Sequence, residues 1–127
     1  MDSYNMDSHN GQRFVRNGRM LNEGGAQVPP AGPYGISYRC IVPPHGKGAN
    51  LAVLVCCSTS HIGFDSVRME PVFMILVESA ANAIDLALDA GSSLQDVPYD
   101  ALRPKLDKAG QVVEIPAHAE APTHVRR

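Results

Sequence analysis

The chain has no tryptophan and few aromatic side chains, 6% of its residues. Any core must therefore come from aliphatic and small residues. It has no surplus of one charge either: the formal net charge is −2, with His neutral, and the basic residues are scattered apart from a terminal Arg126–Arg127 pair. Neither bulk charge nor a local patch points to a nucleic-acid partner. Long hydrophobic runs are missing. Those present, residues 72–77 among them, are too short to span a bilayer, and the opening MDSYNMDSHNGQR carries no signal-peptide core. No membrane partner and no secretory signal are expected. Cysteine is scarce: Cys40, Cys56 and Cys57 are an odd set without zinc-site spacing, so no metal is expected. On a strand, Cys56 and Cys57 would point to opposite faces, which argues against a bridge between them. They read as reduced, buried thiols and favour a cytoplasmic, reducing setting. Also missing is a G-x-G-x-x-G following a strand, the loop that holds a dinucleotide pyrophosphate.

What is present suffices for one domain with a modest core, at 127 residues. Residues 1–11 are polar and need a partner to be ordered. Residues 13–21, RFVRNGRML, are two short segments around Asn17-Gly18, the commonest hairpin turn signal. Residues 22–35 are rich in Gly and Pro and read as a loop. Residues 36–42 read as a strand, and PPHGKGAN as a second turn region, with Asn50 a turn residue before the next strand. Residues 51–57 are apolar without alternation, which predicts a strand buried on both faces, as in a covered parallel sheet.

The clearest element is a helix over residues 72–90. Glu78, Asn82, Asp85 and Asp89 recur at three- and four-residue steps and share one stripe, against an apolar, alanine-rich remainder. Pro71 suits its first turn and Gly91 its end. Its apolar surface is too large for a lone hairpin to cover. Asp96 is a candidate cap for a shorter helix over residues 97–109, which Pro104 should kink or split. Residues 111–115 suggest a short extended segment, and residues 116–127 an unstructured tail. A strand buried on both faces implies layers that this chain does not supply, so it reads as the end of a larger α/β domain.

Three stretches carry a family resemblance: MDSYNMDSHNGQR, GPYGISYRCIVPP, and the segment from Asn50 onward that contains SHIGFDSVRMEPVFMI. They resemble the C-terminal part of FAD-dependent oxidoreductases, some of them labelled xanthan lyase-like, over residues 2–115. The resemblance implies a two-dinucleotide-binding-domain, Rossmann-like flavoprotein. Its glycine-rich N-terminal half would hold the ADP part of FAD, and this chain would supply the returning C-terminal segment. On that reading residues 51–57 are the returning strand, residues 58–68 the loop beside the cofactor, and residues 72–90 the helix after it. Where the family usually has Gly-Gln-Ser-Ala-Ala or Gly-Gln-Ala-Ala-Gly, this chain has Val77-Glu78-Ser79-Ala80-Ala81. That costs backbone room at the glycine position and adds a negative charge.

The candidate residues cluster after the apolar run. His61 can titrate near neutrality and donate to a flavin oxygen or a substrate, or make a structural hydrogen bond. Arg68 could hold a phosphate or a reduced flavin's charge, or pair with Glu70 or Asp65. Ser58 and Ser60 could donate to a cofactor, or cap and turn the backbone. Asp7, Ser8 and His9 form a compact polar cluster that the resemblance makes a candidate wall of the active-site cavity, with His9 a second catalytic candidate. Tyr38, beside Arg39 on the segment read as extended, reads as a packing residue. Two functional classes stay open. One is the C-terminal portion of an FAD-dependent oxidoreductase acting on a small molecule. The other is a non-catalytic remnant or complementing subunit that binds no cofactor alone. The partner implied is the glycine-rich half or a second copy of the chain.

Overall fold

The structure, a computed structural model, describes residues 1–9 and 11–115. The expected tail over residues 116–127, with His118 and His124, lies outside the described residues.

Asn17 and Gly18 both take left-handed backbone angles, φ 54° and 70°, which is the turn that matches strand twist in a two-residue hairpin. They join β2 (Gln12–Arg16) to β3 (Arg19–Glu23), with Phe14 opposite Leu21 and Val15 opposite Met20. Below the hairpin, β1 (Met6–Ser8) pairs antiparallel with β4 (Ala26–Val28). The ribbon narrows between the two pairs. A Cβ on Gly24, at φ 94°, would come within 2.9 Å of the Gly11 backbone nitrogen, so only glycine fits. Every residue of β2 and β3 is exposed, so the hairpin stands off the body.

Two expected strands do not form. Residues 36–42 hold a 3-10 turn, Tyr38–Cys40, capped by the Ser37 hydroxyl. Residues 51–57 are irregular and end in a turn, with Leu51 and Val55 exposed rather than buried on both faces. A central strand needs a neighbour on each edge to satisfy its backbone. Here the segment finds isolated bonds instead, Val53 N–H to Ile41 O at 2.7 Å and Ser58 N–H to Cys40 O at 2.7 Å. Among the described residues the sheets are two antiparallel pairs and no parallel sheet is present. Residues 111–115 also form no strand.

Among the described residues three α-helices follow rather than two. α1 (His61–Val67) occupies most of the stretch expected to be a loop. α2 (Glu70–Ala90) has Pro71 in its first turn and ends at Gly91 in the left-handed conformation, φ 60°. α3 (Tyr99–Lys108) starts after Pro98; Asp96 does not cap it but ends a 3-10 turn, Leu94–Asp96, where its carboxylate accepts the Ser93 hydroxyl at 2.6 Å. Pro104 does not split α3. It sits on the exposed side, where the carbonyl it strands can bond water.

α2 decides the packing. Val72, Leu76, Ala80, Ala83 and Ala87 recur at four, four, three and four residues and form its buried stripe. The N-terminal part of that stripe packs with Ile41, Cys57 and Val67, and the C-terminal part with Leu94, Val97, Leu102 and Leu106. Glu78, Asp85 and Asp89 are exposed and Asn82 half-buried, as their spacing predicts. The long helix expected to be buried is buried along one stripe only. A second apolar stripe, Met74, Val77, Ala81, Ile84 and Leu88, at steps of three and four, lies open, with Met74 72% and Leu88 76% exposed. By length and composition alone α2 could cross a membrane, which counting unbroken apolar runs did not reveal. Its acidic stripe and its buried seam against the rest of the chain are those of a core helix covered on one side.

Candidate functional site

The chemistry-bearing residues gather where α1 packs on β1. α1 starts because Ser60 takes an extended backbone and its hydroxyl accepts the Gly63 N–H at 3.1 Å. A Cβ at position 63 would collide with the Thr59 hydroxyl and crowd that of Ser60, so Gly63 lets the cap close. Ser60 therefore caps the helix through its hydroxyl oxygen. Ser58 is exposed on a groove of about 1020 Å³, and its backbone N–H is engaged by Cys40 O.

Once residues 61–67 are helical, His61 and Asp65 stand on one face, four residues apart. His61 Nε2 lies 3.5 Å from Asp65 Oδ2, an ion-pair distance, with the imidazole 80% exposed and the carboxylate side chain 11% exposed. That carboxylate oxygen is enclosed and has no hydrogen-bond donor among the described residues, where the imidazole is the cation placed at ion-pair distance. Arg68, the residue ending α1, turns back to β1. Its guanidinium donates to the Asp7 carbonyl at 3.2 Å and to the Asp7 carboxylate at 3.3 Å. Neither Glu70 nor Asp65 is its partner, because the helix carries the side chain away from both toward the N-terminal strand. Its Nε is enclosed and has no partner among the described residues.

A second set of contacts holds β1 there. The buried Asp2 carboxylate accepts the Ser3 and Tyr4 N–H groups at 2.7 and 3.0 Å and the Tyr34 hydroxyl at 2.9 Å. The Tyr34 and Ser66 hydroxyls meet, and Ser66 donates to the Tyr4 carbonyl. Burial pushes the Tyr34 phenol up, the Asp2 carboxylate adds to that, and Ser66 opposes it. Residues 1–9 are thus ordered by the chain itself, through α1 and Tyr34.

Of the residues singled out in the sequence, Asp7 and Arg68 pair at this junction, and His61 stands at the start of α1 beside Asp65. Ser8 ends β1 half-buried, and His9 follows it, exposed. Tyr38 packs and donates its hydroxyl to Leu94 O at 2.9 Å. Cys57 is buried but Cys56 is exposed, so only one of the adjacent thiols is a core thiol. The sequence reading missed Asp2 and Tyr34; Asp65 and Ser66 lay in the candidate stretch, Asp65 only as a possible partner of Arg68. The four-residue step from His61 to Asp65 was a usable signal; the others join through long-range contacts. Among the described residues no group of three or more His, Cys, Asp or Glu is placed to hold a metal ion.

Chemically, α1 offers a half-exposed guanidinium held by Asp7 at its end and an exposed imidazole backed by Asp65 at its start. It can donate to, orient, or exchange a proton with an anionic or carbonyl-bearing molecule. No curated protein and no solved structure matches the chain. The sequence model of the FAD dependent oxidoreductase family matches residues 1–106, which include both β1 and α1 with all the residues of the junction. The chain belongs to the FAD-dependent oxidoreductase family.

Proposed function

We propose that this chain is the C-terminal portion of an FAD-dependent oxidoreductase and contributes the flavin-proximal face, with FAD held mainly by a glycine-rich half. One observation carries the reading: α2 buries one apolar stripe within the chain and leaves a second, through Met74, Val77, Ala81, Ile84 and Leu88, open. A sheet of the missing half is the natural cover for such a stripe of small and aliphatic side chains.

The described residues fit FAD only in part. No strand, glycine-rich loop and helix unit is present among them to cradle the pyrophosphate. The junction fits the flavin end better, because the Arg68 cation and the His61 imidazole are donors suited to a carbonyl-rich ring edge or a small anionic substrate. Flavin, when bound, supplies the electron-transfer chemistry. In this reading Arg68 balances negative charge beside the cofactor, and Asp7 holds the guanidinium in place. His61 donates a hydrogen bond or orients substrate, with His9 a further catalytic candidate at the cavity wall. Ser58 lines the approach, and Ser60 acts through the α1 cap.

The test uses a polypeptide carrying both halves. Arg68→Met should reduce flavin content or turnover with the fold retained, and His61→Gln should lower turnover. Unchanged flavin content and turnover in both variants would return the pair to a structural role. The same exposed stripe suits a complementing subunit, in which the glycine-rich half is a separate chain. Co-expression of that half with this chain, followed by co-purification with flavin, separates the two arrangements.

A further inference from the structure

The three cysteines take no part in the junction, yet the fold gathers them. The Ser58 N–H bond to Cys40 O, at 2.7 Å, lays the end of the irregular 51–57 segment against the Tyr38–Cys40 turn. With standard backbone dimensions that bond, at 2.7 Å, keeps the α-carbons of Cys40 and Cys57 within roughly 7.5 Å, a range that includes the separations a disulfide spans. Both side chains face the same cluster. Cys57 is one of its buried members, 7% exposed, and Cys40 packs against it half-buried. Cys56 is one residue further from the hydrogen bond and is exposed.

We propose that Cys40 and Cys57 are a thiol pair that closes to a disulfide with a low-molecular-weight disulfide as oxidant. Cys40 also lines the groove of about 1020 Å³, so it can be reached from solvent while Cys57 cannot. The order of steps follows. The Cys40 thiolate attacks one sulfur of the oxidant, giving a mixed disulfide and releasing one small thiol. The Cys57 thiolate then attacks the Cys40 sulfur and displaces the second small thiol. Two protein thiols are oxidised, one small disulfide is reduced to two thiols, and the two protons of the protein thiols end on them. Burial, together with the neighbouring thiols of Cys40 and Cys56, pushes the Cys57 thiol up, so the second step is the slow one. Cys56 exchanges with the oxidant separately and stays outside the pair.

The experiment treats the full chain with oxidised glutathione, blocks free thiols, and maps tryptic peptides without reduction. Arg39, Lys47 and Arg68 place Cys40 on the peptide of residues 40–47, and Cys56 and Cys57 on that of residues 48–68. The expected result is a cross-linked pair of these peptides, with fragment ions assigning the bond to Cys57. It should form after a glutathione adduct on Cys40, persist in Cys56→Ser, vanish on reduction, and raise the melting temperature. Three unlinked thiols, or a cross-link that fragment ions assign to Cys56, would overturn the proposal. Because the wild-type chain supplies the assignment, the result does not depend on whether Cys57→Ser folds. Flavin binding plays no part in it, so it stands or falls separately from the functional reading.

Discussion

Arg68 and Asp7, 61 positions apart in the chain, meet at 3.3 Å and tie the end of α1 to β1. The pair is only half-exposed, and the guanidinium also holds the Asp7 carbonyl. Asp7→Asn should therefore cost about 1 kcal/mol, at the upper end for a surface pair. Urea unfolding measures it, and hydrogen exchange of residues 2–8 should quicken in the variant. Unchanged exchange would mean that the Asp2–Tyr34–Ser66 contacts alone hold the strand.

Alkaline pH should destabilise the fold. Burial raises Tyr34 and Tyr38 above their ordinary 10.0 and Cys57 above 9.0. Each is neutral when protonated and is held so in the folded state. Their contribution is complete below about pH 9 and is lost as pH rises through the raised folded values. Unfolding midpoints should fall across that window. Tyr34→Phe should lose stability at neutral pH, through its missing hydrogen bonds, and be less sensitive to alkali than the parent chain.

The facing of α2 is testable by two substitutions. Ala83 is fully buried, so Ala83→Leu should overpack the seam and cost about 1–3 kcal/mol. Asp85 pairs with Lys105 on the exposed side, so Asp85→Ala should stay within about 0.5 kcal/mol. Equal, large losses from both would mean that the facing is wrong.

The isolated chain should bind FAD weakly or not at all, because it brings no pyrophosphate cradle. Purified protein titrated with FAD should show no saturable change in flavin fluorescence. A tight, stoichiometric yellow complex would contradict this directly.

Leu88→Ser should leave the stability of the isolated chain nearly unchanged, within about 0.5 kcal/mol, since the side chain is 76% exposed. In a polypeptide carrying the glycine-rich half, the same change should weaken the association of the halves. Equal behaviour in both settings would remove the second stripe as an interface.

Local chemistry was legible in the sequence wherever neighbours along the chain decide the outcome. Asn17-Gly18 specified the hairpin because only a few residues tolerate its backbone angles. The span of α2 and its polar stripe followed from spacing alone, and its end followed from Gly91. The recurrence of SHIGFDSVRMEP was enough to indicate the family. Asp7, His61 and Arg68 were visible as a list of candidates, without the pairings Arg68–Asp7 and His61–Asp65.

Tertiary structure decided what depends on partners distant in sequence. Residues 51–57 have the composition of a buried strand, but a strand exists only where another backbone completes its hydrogen bonds, and here the segment meets only isolated carbonyls of Ile41 and Cys40. α1 is too short to show a period and is held by its Ser60 cap and its packing on β1. Arg68 had acidic neighbours in sequence and bonded instead to a carboxylate 61 positions away, because the end of α1 aims it there. Which apolar stripe of α2 is covered could not be read from its spacing, since both stripes have the right period. The contacts of Ile41, Leu94 and Leu102 settle it, and they arrive from three separate parts of the chain.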